Sequence, residues 1–245
     1  MKKKRETSKH KAALEKGKFI RHSIFGAEDG LISTLGFLSG ITGANLAGFT
    51  IIIAGIAEIF AAALSMGIGT YLSSKSQTEL IKRKIELEKE EINNFPKLER
   101  KEVEKIYRKK GFKGTELKKI VDKITSNKKL FLEEILVEEL GIIPKNFENP
   151  LKSSLVMFFT FIVLALIPLL PYLFLPIDNA VIVSIILTTL TLFLIGAIKS
   201  KLTKRSWFYS GLEMMSLGLL AAVITYYIGN LISSIIWITT FHKNT

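Results

Sequence analysis

Between Gly30 and Leu72 the only ionisable side chains are Glu58 and Tyr71. A hydrocarbon core about 30 Å thick takes roughly 20 apolar residues per spanning helix, so this stretch holds two such helices. The break between them falls in the glycine-rich, charge-free segment Gly40 to Gly48 (GITGANLAG), which can turn without stranding a charge. Three more apolar runs follow, at Ser153 to Leu175, Ala180 to Ile198 and Trp207 to Trp237.

Orientation follows from the basic residues, because short basic loops stay on the cytosolic side. Nine lysines and arginines lie between Lys2 and Arg21, twenty between Lys75 and Lys152, and four between Lys199 and Arg205. The opposite loops, Gly40 to Gly48 and Pro171 to Asn179, carry none. The predicted fold class is all-α: a polytopic membrane protein with five transmembrane helices and a helical cytosolic insert. Residues 1–22 form a basic cytosolic segment, 23–74 the first two spans, 75–150 the insert and 151–241 spans three to five. The N-terminus and insert are then cytosolic, and the C-terminus lies on the opposite side.

Several function classes drop out. The net charge of +12 sits in juxtamembrane segments, where membrane topology and attraction to anionic lipid explain it, so nucleic acid is not an expected partner. The first apolar stretch follows some twenty polar residues and outruns the core of a cleavable signal. Cysteine is absent and the three histidines (His10, His22, His242) are scattered, which leaves no thiolate or imidazole zinc site. No nucleophile, base and phosphate-loop constellation suggests an enzyme or a cofactor.

The insert carries 15 of the 22 acidic residues. Its first helix continues from span two through Ile85 and Ile92 until Asn93, Asn94 and Pro96 end it. A second helix covers about Lys97 to Lys110 and stops at Gly111; a third covers Thr115 to Thr125. A fourth, Lys128 to Leu140, ends at Gly141 with Pro144 beyond. Glu88 and Glu91 are three apart on the first helix, as are Glu99 and Glu102 on the second, so each pair shares one face. The turn at Asn93 to Pro96 can bring the two faces together, and Glu138 and Glu139 close the fourth helix. Carboxylates without histidine or cysteine restrict any metal to oxygen-preferring ions such as Mn(II), Fe(II), Mg(II) or Ca(II). At reference pKa values such binding fades below about pH 5. The plain alternative is a solvated acidic face with Lys89, Lys101 and Lys105 as partners.

Ionisable residues within spans cost about 2.5–3.5 kcal/mol or more at the bilayer centre, which makes each one a functional candidate. Glu28 and Asp29 open span one, Glu58 lies near the middle of span two, Asp178 falls in an outer loop and Glu213 enters span five. Nothing adjacent to Glu58 (GIAEIFAAALSM) can neutralise it, whereas Asp29 could serve as a helix cap. Met66, eight residues after Glu58, lies near the same helix face. It reads either as core packing or, facing carboxylates, as a soft ligand in a site for a borderline ion. Gly26, Gly30, Gly36 and Gly40 form two small-xxx-small pairs, which call for close helix contact within the subunit or across a dimer axis.

The strings IFGAEDGLISTLGFLSGITGA and AGIAEIFAAALSMGIGTYLSSKSQTEL resemble the first two spans of the vacuolar iron transporter family. NPLKSSLVMFFTF with IPLLP, GAIKS, and GLEMMSLGLLAAVITYYIG resemble its later spans, so the likeness covers roughly residues 20 to 230. It implies a homodimer with the ion path at the dimer interface, moving Fe(II), often Mn(II) too, out of the cytosol in exchange for protons. Asp29 then matches the pore carboxylate of span one, Met66 the methionine of span two, and Glu58 the glutamate that handles protons or ions. Glu88, Glu91, Glu99 and Glu102 match the paired glutamates of a cytosolic metal-binding domain, and Glu139 the glutamate of its last helix. The chain departs from the family at two places. Ile135 and Leu136 stand where members carry Met-Met, which removes two soft ligands and shifts selectivity toward harder ions. Thr70 stands for the glutamate of a Gly-Glu-Tyr string, which removes one carboxylate. The competing function is a membrane-anchored metal-binding or regulatory module whose spans only hold the insert. An anchor has no use for the burial cost of Glu58.

Overall fold

A computed structural model describes residues 2–142 and 149–241, with side chains described at 17, 19–142, 149–201 and 203–237. His10, Pro144, Glu148 and His242 lie outside the described side chains. The described residues form eight helices and no strand: α1 Lys2–Gly43, α2 Gly48–Asn94, α3 Pro96–Lys109, α4 Gly114–Thr125, α5 Lys128–Glu138, α6 Pro150–Phe174, α7 Ile177–Thr203 and α8 Trp207–Phe241.

Four of these, α2, α6, α7 and α8, are long and apolar enough to cross a membrane. α1, read from the sequence as the first span, is not among the four. Its stretch from Gly26 to Gly43 carries Glu28, Asp29, five glycines and four hydroxyl side chains, so its mean hydropathy falls although its leucines are apolar. At 47 residues, α2 is about 70 Å long by its rise per residue. That is more than twice a bilayer core, so only its apolar first half can cross.

The chain divides into two compact units, residues 16–71 with 150–245, and residues 1–15 with 72–149. In the first, Leu38, Ile51, Ile59, Ala63, Phe161, Ala165 and Leu169 make a buried core drawn from α1, α2 and α6. The glycines of α1 explain how that helix enters it. A Cβ on Gly30 would stand 2.7 Å from the Phe161 carbonyl oxygen of α6, and one on Gly43 would stand 2.3 Å from the Tyr226 carbonyl oxygen of α8. A Cβ on Gly229 of α8 would stand 1.8 Å from the Gly40 oxygen. Backbones approach this closely only where no side chain intervenes, so both small-residue pairs of α1 are used within the subunit, against α6 and α8. Leu31 and Leu35 are fully buried. Hydroxyls tie the helices further: Ser154 Oγ donates to the Gly67 carbonyl at 2.7 Å, and Ser184 Oγ to that of Pro168 at 2.7 Å. The second bond lies beside Pro168 and Pro171, whose missing N–H groups interrupt the ladder of α6.

The other unit is a small helical bundle. Leu117, Val121 and Ile124 recur at helical spacing on α4 and pack with Ile92, Val103, Phe131 and Ile135 into one core. Its helices end where the sequence supplies the chemistry. Gly111, Gly114 and Gly141 hold φ of +100°, +56° and +62°, a region that strains a side chain. Asn127 caps α5 by accepting from the Lys129 and Leu130 amides. Arg100 of α3 clamps α4 through Asp122 and through Thr125, the latter at 2.8 Å. Ile135 and Leu136 are 0% and 1% exposed; they are core side chains.

Candidate functional site

The turn after Asn94 folds α3 back along the end of α2, and the two carboxylate faces meet. Oxygens of Glu88, Glu91 and Glu99 all lie within 4.8 Å of one another. Glu99 is 2% exposed, in the row that includes Val103, and its Oε2 is buried without a hydrogen-bond partner. Glu102 shares a hydrogen bond with Glu139 at the end of α5. The described ion pairs of this unit use other acids: Glu79, Glu86, Glu104, Asp122 and Glu138. Among the described residues, then, Glu88, Glu91 and Glu99 converge, Glu102 and Glu139 lie near enough to act on them electrostatically, and none of the five is paired with a lysine or arginine, Lys89, Lys101 and Lys105 included.

Clustering carries an electrostatic cost. Burial, then the charges of Glu102, Glu88, Glu91 and Glu139, push the Glu99 carboxyl up to about 7. Glu139 keeps solvent on one side, yet it too is raised to about 7, by lost hydration first, then by Glu102 and Glu88 and by the hydrogen bond to Glu102. A divalent cation would reverse both effects, because opposite charge favours the carboxylate. The sequence expectation that binding fades below about pH 5 therefore moves upward. The sign follows from linkage: folded carboxyls with pKa near 7 hold protons that the unfolded chain releases near its ordinary value, so the metal-free protein loses stability as pH rises from about 4.5 to 7. Metal binding must displace those protons. Affinity for Mn(II), measured by calorimetry on the purified protein, should rise about 10-fold or more between roughly pH 5.5 and pH 8, with proton release that vanishes toward the upper end. An affinity unchanged across that interval would mean that the cluster does not bind the ion.

Beyond the cluster, Tyr107 donates to Glu134 at 2.5 Å and Lys110 pairs with Glu138 at 2.5 Å. These contacts join α3 to α5 beside Glu139. Burial and the bond to Glu134 push the Tyr107 hydroxyl up to about 12, so it remains a donor at any physiological pH.

In the other unit the acidic candidates separate into two groups. Glu28 lies 4.0 Å from Lys199 and Glu213 lies 3.9 Å from Arg205, while Asp178 occupies the first turn of α7, where a carboxylate suits the helix dipole. Asp29 and Glu58 form no ion pair among the described residues and lie close enough for their charges to interact. Thr34 of α1, fully buried, donates to Glu58 Oε2 at 3.2 Å. Met66 is half-buried and packs against the core of α1, α2 and α6. Sequence reasoning passed over Thr34; the signal was the hydroxyl pair Ser33–Thr34 one helical turn past Asp29.

Comparison with known proteins accords with this layout. The model of the VIT family matches residues 20–230. A protein named vacuolar iron transporter from Centaurea cyanus is 35% identical over 211 residues, 86% of each chain. Vacuolar iron transporter 2 from Oryza sativa subsp. japonica is 33% identical over 94% of this chain and 92% of its own. The vacuolar iron transporter of Plasmodium falciparum is 33% identical over 86% and 81% respectively. The match spans both compact units and includes every carboxylate discussed above, and on that ground the chain belongs to the VIT family.

Proposed function

We propose that this protein exports divalent metal, Fe(II) and Mn(II), from the cytosol by proton antiport. It is a transporter without catalytic activity or resident cofactor, and the ion is its substrate. The observation that carries the reading is the convergence of Glu88, Glu91 and Glu99 oxygens within 4.8 Å, with no described lysine or arginine paired to them, in a chain whose relatives are named iron transporters. Glu102 and Glu139 complete the ligand set, and its oxygen-only chemistry suits Mn(II) and Fe(II). The insert binds the ion, Asp29 and Met66 pass it through the membrane unit, and Glu58 exchanges a proton as it moves.

The reading includes five spans, with α1 as the first. Supporting this, Leu31 and Leu38 are buried in cores shared with α2, α6, α7 and α8, and the glycines of α1 seat it against two helices that are themselves apolar enough to span. It includes a homodimer in which a second subunit covers exposed apolar side chains such as Phe95, Leu98 and Val137 of the insert unit. The N-terminus and the insert, residues 75–150, face the cytosol. The C-terminus faces the opposite side.

Purified protein in liposomes tests the reading through uptake of Fe(II), Mn(II) and Zn(II) with and without a pH gradient. Saturable Fe(II) and Mn(II) uptake, accelerated by the gradient, is expected. Tight ion binding without flux would establish the anchored metal-binding module instead.

A further inference from the structure

Serine and threonine inside a helix ordinarily return their hydroxyl to the carbonyl three or four residues back. This chain follows that habit at Thr42, Thr189, Thr191 and Thr225, whose Oγ1 atoms bond the carbonyls of Leu38, Ile185, Leu187 and Ala221 at 2.7–2.8 Å. Two adjacent residues of α1 break it. Thr34 turns its hydroxyl across to Glu58, and Ser33 Oγ is buried with no hydrogen-bond partner. A buried hydroxyl left unpaired is costly, so the position favours the arrival of a partner.

Its place along α1 says which kind. Ser33 follows Asp29 by four residues, about 6 Å of rise on the same helix face, and precedes by one residue the level at which Thr34 meets Glu58. On the transport reading, an ion that moves along α1 from Asp29 to the level where Thr34 meets Glu58 passes the level of this hydroxyl. The other unpaired buried hydroxyls of the membrane unit, Ser39 and Thr188, have no acidic residue within two turns on their own helices.

We infer that Ser33 Oγ is an ion ligand between Asp29 and Glu58, a neutral hard-oxygen step that carries a divalent cation from one carboxylate to the next. The inference rests on the transport reading for its role, although ion binding at Ser33 can be read without flux. A neutral oxygen suits the place: it replaces a water of the ion's shell without adding a charge that would trap the ion between two carboxylates.

The absence of cysteine makes Ser33→Cys the only thiol in the chain. Its labelling by a small charged methanethiosulfonate should slow about 10-fold in saturating Mn(II), as a bound ion shields and engages the sulfur. In liposomes, Ser33→Ala should lower Mn(II) flux about 10-fold, and Ser33→Cys should raise the Cd(II) to Mn(II) flux ratio by about as much, because thiolate prefers the softer ion. Labelling unaffected by Mn(II), together with wild-type flux and ion ratio in both variants, would overturn the inference. Should Ser33→Ala fail to fold, the labelling experiment alone decides. If Asp29→Ala and Glu58→Gln also retain wild-type flux, the transport reading has failed; if those lose flux and the Ser33 variants do not, only the role of Ser33 has.

Discussion

Asp29→Ala should abolish ion flux in proteoliposomes, a fall of at least about 100-fold, since losing an ion ligand costs no less than the roughly 10–100-fold of losing an outer-shell partner, while the purified protein should still bind Mn(II) through its insert. The expectation comes from the contrast among the membrane-unit carboxylates. Glu28 and Glu213 have basic partners at 4.0 and 3.9 Å, but Asp29 has none among the described residues, and its charge acts unfavourably on another acid, Glu58. A half-buried carboxylate without a countercharge is held there at a cost. A cation that arrives during transport offsets that cost. Removing Asp29 therefore relieves the resting protein and disables the working one: Asp29→Ala should be at least as heat-stable as wild type while carrying no ion. Flux at the wild-type rate from well-folded Asp29→Ala would take Asp29 out of the path.

Glu58→Gln should separate ion movement from proton movement. The amide keeps the shape of the side chain and can still accept the Thr34 hydroxyl at Oε1, the geometry now seen at 3.2 Å, but it cannot release or take a proton. Flux should fall, and what remains should be indifferent to a pH gradient, so that rates with and without an inside-acid lumen coincide. On the proposed antiport, a metal ion near Glu58 would favour the carboxylate and expel a proton, and its departure would let the proton return; glutamine would remove both steps. Wild-type rate together with wild-type response to the gradient would make Glu58 structural and send the search for coupling to Asp29 and Glu213.

The pairing of Glu88 with Glu91 and of Glu99 with Glu102 was legible because helical periodicity is local: residues three apart share a face wherever the helix lies. The break at Asn93 to Pro96 was legible for the same reason, since proline ends a ladder irrespective of its surroundings. The apolar lengths of α2, α6, α7 and α8 likewise follow from composition alone. α1 was harder to read because its glycines and hydroxyls lower its apolar signal, and their purpose lies in α6 and α8, helices more than a hundred residues away in the chain.

Sequence by itself determined the helices, their apolar or acidic character, and which carboxylates share a face, because each of these depends on neighbours within one or two turns. Only the tertiary structure decided which acids are compensated. It paired Glu28 with Lys199 and Glu213 with Arg205, placed Thr34 on Glu58, and brought Glu99 to Glu88 and Glu91 while burying it to 2% exposure. Charge compensation is a property of space: energies between charged groups fall with distance and with the water between them, and neither is written along the chain.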